Sequence, residues 1–380
     1  MGDNTAVTKR ARALVVGILL AALVAIAIGP AASQGPPEDG EHERTVTVMT
    51  RNLYLGASLS PLFEAETPNE LLKAVDEVWR QVLATNFPER AGALADEIAD
   101  HRPDLVGLQE VTLWRSGPIT TTEQYVEEVE FDFLDILLDA LADRGLAYDP
   151  VASVNLLDEQ LDNPLTGRAL RMTDRGVVLA RADVRTADLK LANPQSGTFT
   201  TSLELPLVDE TISVPRGWTS VDAKVRGKQF RFLNTHLEAF EPEVRFPQAT
   251  ELLAGPADTD LPVVLVGDVN SPGPPGHTPG KTYELLTDAG FVDAWTLDQP
   301  GADGFTCCHD PDLMNDEPTL GLRIDVALFR GPFDVAGTAI VGADPAERTA
   351  SGLWPSDHAG AITTLFIPPD RPSGRAAPGR

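Results

Sequence analysis

The 380-residue sequence is poor in cysteine, in aromatic side chains and in positive charge. Two cysteines, adjacent at Cys307 and Cys308, rule out a disulfide-stapled scaffold and any all-thiolate zinc site. Lysine and arginine number 30 against 57 aspartates and glutamates, a formal charge of -27. That balance disfavours non-specific gripping of nucleic acid, which rests on Lys and Arg neutralising phosphates. It leaves a phosphate substrate open, because a bound divalent cation reverses the sign of the local field. Aromatics are only 6% of the chain, with no clear exposed cluster for docking on a lipid surface. There is no Gly-x-Ser-x-Gly elbow, no His-Glu-x-x-His and no P-loop, which argues against a serine hydrolase, a zinc peptidase and a P-loop nucleotidase. What is present is the composition of a globular protein, 42% apolar and 23% charged.

Long apolar runs are also scarce; the one at the N-terminus is informative. Lys9, Arg10 and Arg12 precede an uninterrupted apolar stretch from Ala13 to Ile28, and the small residues Ala31, Ala32 and Ser33 follow. A basic start, an apolar stretch and a small-residue exit form the secretory signal pattern. The stretch is short of the about 20 residues that span a bilayer core, so export is expected, with an uncleaved anchor as the alternative. Residues 1–33 are read as the signal, 34–44 as a polar linker, 45–367 as one layered domain and 368–380 as a Pro/Gly/Arg-rich tail.

Within that domain strands and helices mix. Thr45 to Met49 alternates and is β-branched, a strand. Glu70 to Ala84 carries apolar residues at helical spacing, and a second helix around Leu94 to Ala99 is stopped by Pro103. Thr121 and Gln124 suggest a capping box opening a helix through Leu141. Further strands are expected at Leu105–Leu108, Val177–Leu179, Phe199–Leu207, Val221–Val225, Phe230–Leu233, Val263–Val266 and Ile324–Phe329. The fold class is therefore α/β or α+β, a layered sheet protein.

Polar residues of catalytic type sit at the ends of these strands. They are Arg51-Asn52, Gln109-Glu110, Asn234-Thr235-His236, Gly267-Asp268-Val269-Asn270, Arg323-Ile324-Asp325 and Ser356-Asp357-His358. Strand ends in open α/β sheets are where ligands bind. Singly each has a structural explanation: a turn for Asp268 and Asn270, a loop cap for Glu110, a satisfied core histidine for His236. Together, and in this order, they resemble the endonuclease/exonuclease/phosphatase family, the DNase-I-like metallophosphodiesterases, in a secreted bacterial-type form. The resemblance runs almost the length of the domain and implies a four-layer sandwich of two mixed β-sheets flanked by helices.

The resemblance also implies a chemistry. Phosphodiester hydrolysis needs an activated water, a stabilised leaving oxygen and neutralised phosphate charge. A hard cation, Mg²⁺ first and Mn²⁺ or Ca²⁺ as alternatives, is held by oxygen ligands and needs only one or two carboxylates. Glu110 is then the principal metal ligand, with Asp357 and Asn52 as further candidates. His358 is the general base and Asp325 fixes its ring. His236 donates to a phosphate oxygen, and Asp268 and Asn270 orient water and phosphate. Arg175 and His277 are candidate substrate contacts, and Trp114 and Arg115 candidate neighbours of the cleft. The family's second glutamate, partner of the histidine matching His236, has no clear counterpart; Glu123, Glu127 and Glu128 lie in a plausible interval but on what reads as a solvated face.

The expected partner is a phosphodiester substrate, either nucleic acid, slightly favoured, or a phospholipid head group cleaved as a phospholipase C or sphingomyelinase does. A monomer with no stable nucleic-acid scaffold role is expected. A non-catalytic exported binding domain on the same fold is the contrasting class; it is disfavoured because His358, His236 and Asp268 are all present. With no other thiol in the chain, Cys307-Cys308 is expected as a vicinal disulfide, against reduced thiols or an intermolecular bridge. N-terminal sequencing of exported protein should find a mature chain starting just beyond Ser33; a chain retaining Met1 in the cytoplasm contradicts the signal reading.

Overall fold

Two short strands, Leu105–Gln109 and Val263–Asp268, are buried at every position. A continuously apolar strand has both faces covered, as in parallel pairing inside a layered domain. The structure, a computed structural model, describes residues 44–120, 124–208 and 210–368. The signal segment, nearly all of the linker, all but the first residue of the tail, and Thr121 and Glu123 lie outside the described residues.

In chain order the first half contains β1 (Thr45–Asn52), α1 (Ser60–Glu64), α2 (Pro68–Ala84), α3 (Phe87–His101), β2 (Leu105–Gln109), β3 (Leu113–Pro118), β4 (Val129–Asp132), α4 (Phe133–Asp143), β5 (Tyr148–Asn163) and β6 (Arg168–Arg181). Next come β7 (Leu189–Thr198), β8 (Leu203–Leu207), β9 (Glu210–Val214), β10 (Gly217–Val225), β11 (Lys228–His236), α5 (Pro242–Ala254) and β12 (Val263–Asp268). The remainder is α6 (Lys281–Asp288), β13 (Val292–Asp293), α7 (Ala294–Asp298), β14 (Asp325–Arg330), β15 (Asp334–Val341) and β16 (Gly360–Phe366). One sheet runs β15-β16-β1-β2-β6-β3-β4, with β5 on β6; a second runs β13-β14-β12-β11-β10-β7; β8 and β9 form a separate hairpin.

Alternation along each strand assigns its two faces. Val46 and Val48 of β1 and Val264 and Val266 of β12 share the layer between the sheets with Phe232. Met49 and Leu108 point the other way, onto Val78, Leu94 and Phe133 of α2, α3 and α4. Leu233 and Leu265 turn outward onto Leu252 of α5 and Leu286 of α6. Helix, sheet, sheet, helix: the four-layer sandwich is the fold.

Each sheet has the same centre. β1 and β2 are parallel, with β16 antiparallel beside β1; β11 and β12 are parallel, with β14 antiparallel beside β12. The C-terminal tips of four strands and the starts of two others therefore share one end of the sandwich. A seam aligns the sheets there. Gly107 brings β2 so close to the other sheet that an added Cβ would lie 2.6 Å from Val266 and 2.8 Å from Asn234. In that space the buried Asn234 amide donates to the carbonyls of Leu108 (3.1 Å) and Val177 (3.3 Å) and accepts from Gln109 (2.6 Å).

The expected helix from Thr121 begins instead at Phe133, with Asp132 as its N-cap accepting from Leu134 (3.0 Å). The residues before it pair as β4 with β3, Trp114 opposite Phe131, so cross-strand packing overrides the helical spacing. The strand expected from Phe199 begins at Leu203. Replacing Asn234 with Ala should cost about 2–4 kcal/mol, since Gln109 and two buried carbonyls lose their partner. Chemical denaturation measures it, and a loss below about 0.5 kcal/mol would refute the seam's structural weight.

Candidate active site

The shared end of the sandwich opens into a cleft of about 340 Å³ lined by Glu110, His236, Asp268, Asn270, Asp357 and His358. Register explains the convergence: Asn52 is opposite Gln109, His236 opposite Asp268, and Asp268 opposite Asp325. Three residues at these ends leave the extended backbone for the left-handed region, Tyr54 at φ 63°, Glu110 at φ 56° and Asn270 at φ 49°. Such conformations are disfavoured for side-chain-bearing residues, and strain of this kind gathers at functional sites.

The polar groups form one network. His358 Nδ1 lies 2.8 Å from Asp325 Oδ2 and 3.9 Å from Asp268 Oδ2. Asn52 Nδ2 donates to Glu110 (3.0 Å) and to Asp268 (3.3 Å), while its Oδ1 accepts from the Tyr54 amide at 2.9 Å. The other Glu110 oxygen accepts from the Leu55 amide at 2.7 Å. Asn270 donates its backbone N–H to Asp268 at 2.9 Å and its side-chain amide to the Leu237 carbonyl at 2.9 Å. His236 Nε2 is 3.5 Å from Asp268, and Arg216 donates to His236 Nδ1 at 3.2 Å.

Electrostatics separate the two histidines. Burial disfavours a charged His358, but Asp325 and Asp357, with Asp268, outweigh it and lift the imidazole well above its usual 6.5. Burial, then Arg216 and His358, push His236 well below 6.5, so its ring is neutral. With Arg216 donating to Nδ1, the His236 proton sits on Nε2, facing the cleft. Burial also raises the carboxyls: Glu110 with help from Asp357, Asp357 itself, and Asp268 to about 7 with help from Asp325. Asp325 Oδ1 is buried with no hydrogen-bond partner. Asp268, Asp325 and His358 each bring a ligand-type atom within 4.8 Å of the others. Asp325 and His358 already engage each other, so of the buried carboxylates Glu110 and Asp357, on the cleft lining, are the oxygen donors left to fit a hard divalent cation.

Two expected substrate contacts are elsewhere. Arg175 is committed to Asp132 (2.5 Å) and to the Val111 carbonyl (2.7 Å), because strand alternation turns it away from the cleft while its neighbour Asp174 faces inward. His277 is exposed in the proline-rich loop, bonded to the Gly321 carbonyl and tilted against Phe305, outside the cleft lining. Trp114 donates to the Leu55 carbonyl at 2.8 Å and packs with Trp79, and Arg115 bonds Thr173 at 2.9 Å. Glu127 pairs with Arg171 (2.7 Å), so it is no partner of His236, and the Glu128 backbone carbonyl accepts from Ser116.

The environment of His236 is instead Arg216, flanked by Asp174 at 3.8 Å and Glu238 at 3.7 Å. Burial raises Asp174 to about 6, with Arg216 opposing. Sequence reasoning missed all three; the pairing of Gly217 with His236 is what carries Arg216 to the histidine. It also missed the weight of Arg51, which is fully buried, ion-paired to Glu97 at 2.8 Å and hydrogen-bonded to the carbonyl of His358. Cys307 and Cys308 are bonded to each other and line the cleft beside His358.

The chain matches the Endonuclease/Exonuclease/phosphatase family profile over residues 78–358, and it belongs to that family. Its members are hydrolases of phosphoester bonds and are generally dependent on a divalent metal. Among solved structures, a family protein from Bacteroides thetaiotaomicron is 17% identical, with a TM-score of 0.51 over 85% of this chain and 98% of its own. A mannosyl-6-phosphatase of Bacteroides thetaiotaomicron VPI-5482 is also 17% identical, with a TM-score of 0.51 over 85% of this chain and all of its own. A family protein from Leptotrichia buccalis is 15% identical, with a TM-score of 0.50 over 85% of this chain. These likenesses concern the fold. No curated protein shows significant sequence similarity to the chain.

Arg51→Met should cost about 3–5 kcal/mol in a denaturant titration, because it strands the buried Glu97 carboxylate. The double variant Arg51→Met, Glu97→Leu should recover part of that loss; no recovery would mean that Arg51 acts through packing alone.

Proposed function

We propose that the protein is an exported, divalent-metal-dependent phosphodiesterase whose general base is His358. One observation carries the reading: the His358–Asp325 hydrogen bond of 2.8 Å faces a cleft bounded by Glu110, Asp268 and Asp357. Asp325 engages Nδ1, so in the neutral ring Nε2 is the atom that accepts a proton from the attacking water; a cation beside Asp357 would offset the carboxylates that hold the ring protonated without it. Glu110 and Asp357 are the proposed holders of the cation, with Asn52 fixing the Glu110 carboxylate rather than coordinating through its bonded amide. Bound there, a divalent cation supplies charge neutralisation at the phosphate and lowers the pKa of water.

The neutral His236 donates from Nε2 to a phosphate oxygen, and Arg216 behind it adds positive charge. Asp268, tied to the Asn270 amide, orients the attacking water. Export rests on the N-terminal signal pattern. The slight preference for nucleic acid drawn from sequence gains little from the cleft. Among its described lining residues Arg216 is the one arginine and there is no lysine, where a strand of phosphates calls for a track of cations.

Turnover of bis-p-nitrophenyl phosphate with Mg²⁺ or Mn²⁺ tests the reading, alongside plasmid DNA, RNA and sphingomyelin. Chelator should abolish it, and His358→Ala should lower kcat/KM by about 10²–10⁴ in folded protein. A carboxylate beside an imidazole raises its pKa, so Asp325→Asn should move the acid limb of the pH–rate profile to lower pH while reducing the plateau. Turnover indifferent to chelator, or an acid limb that stays put, counts against the mechanism.

A further inference from the structure

The cleft does not end at the phosphate-type residues. Leu59, Phe63, Leu157 and Met172 line both it and a second pocket of about 80 Å³, so one apolar groove runs on from the candidate catalytic groups. Its far end is bounded by Leu62, Val78 and Trp114 and by Leu161 and Leu170 of the β5–β6 hairpin. The β8–β9 hairpin roofs it. Leu203 pairs with Val214 and Leu205 with Ile212, and these four fall on one face by strand alternation. Leu203, Leu205 and Val214 face the cleft, and Leu207 and Ile212 the deeper pocket. Phe240, 66% exposed, also lines the cleft.

We propose that this groove is the subsite for an aliphatic chain on the substrate, so that the preferred substrate is an amphiphilic phosphoester. The inference rests on the reading of the site as a phosphodiesterase and names its substrate class. A chain esterified to a phosphate held near Glu110 and His358 has a mostly apolar path away from them, with Glu159, Gln160 and Glu210 among the residues lining the deeper pocket. The lining supplies the chemistry, since an aliphatic chain gains free energy for each methylene withdrawn from water. Charge agrees, because one arginine suits one phosphate rather than a polyanion. The volume of the inner pocket is several waters' worth, enough for a short length of chain rather than a point contact.

The full-length protein is assayed on p-nitrophenyl alkyl phosphodiesters with methyl, butyl, hexyl and decyl chains, all below their micelle concentrations. The proposal expects kcat/KM to rise up to about fourfold for each methylene the groove accepts, then level off. Leu205→Asn and Ile212→Asn should lower the hexyl-to-methyl ratio, while Tyr125→Ser, outside both pockets, should leave it unchanged. A ratio that is flat with chain length, or unmoved by both groove variants, overturns the subsite even when the methyl ester is turned over, which keeps the phosphodiesterase reading intact. If no ester is hydrolysed, titration calorimetry with hexyl- against methylphosphonate decides the subsite by itself: tighter hexyl binding that Leu205→Asn abolishes sustains it, and equal binding overturns it. Phosphatidylcholine vesicles against soluble short-chain phosphatidylcholine separate a membrane source from a dispersed amphiphile.

Discussion

The close approach of the two sheets at Gly107 and Asn234 is the constraint on which the rest depends. A side chain at Gly107 would collide with Val266 and Asn234, and without it the Asn234 amide reaches backbone on β2 and β6 and the side chain of Gln109. Two sheets held at that distance carry the ends of β1, β2, β11 and β12 into one place. Residues distant in sequence, such as Asn52 and Asp268, then meet at 3.3 Å. The motif residues thus divide their labour: Asn234, Gln109 and Arg51 hold the frame, His236 and Glu110 line the cleft, and Asn52 braces Glu110 and Asp268 from beneath it.

Acidic crowding shapes the cleft. Glu110, Asp268, Asp325 and Asp357 are brought together away from bulk water, a costly arrangement for like charges. Hydrogen bonds from Asn52, Leu55 and Asn270 offset part of that cost, and His358 offsets more by holding its proton. The remaining imbalance is the electrostatic form of a cation site. The protein's overall acidity is compatible with phosphate chemistry because the relevant field is this local one.

The strand-end residues were legible in the sequence because their chemical type interrupts apolar runs; those runs and the helical spacing of α2 and α3 gave a layered α/β class, and the four layers came from the family resemblance that the strand-end residues carry. What stayed hidden depends on pairing rather than on type. Arg216 and Asp174 look like ordinary loop and strand charges until β10 is laid against β11. Arg175 beside Asp174 was the more attractive candidate, and a single step of strand alternation excludes it. The β5–β6 hairpin is half-exposed and rich in polar residues, so only its Val177–Leu179 portion carries a strand signal. The start of α4 is hidden in the sequence because Val129 and Phe133 suit a helical face and a short strand equally well.

The β8–β9 hairpin stands apart from both large sheets and bonds through its own two strands. A two-stranded ribbon draws its stability from whatever it lies against, here α1 and β5. Its inward residues are therefore free to vary in size and polarity without disturbing the frame that fixes the catalytic groups. If the groove is the substrate subsite, selectivity and chemistry are housed in separately evolvable parts of the chain, and changes on the inward face of this hairpin would alter the preferred ester while the reaction stayed the same.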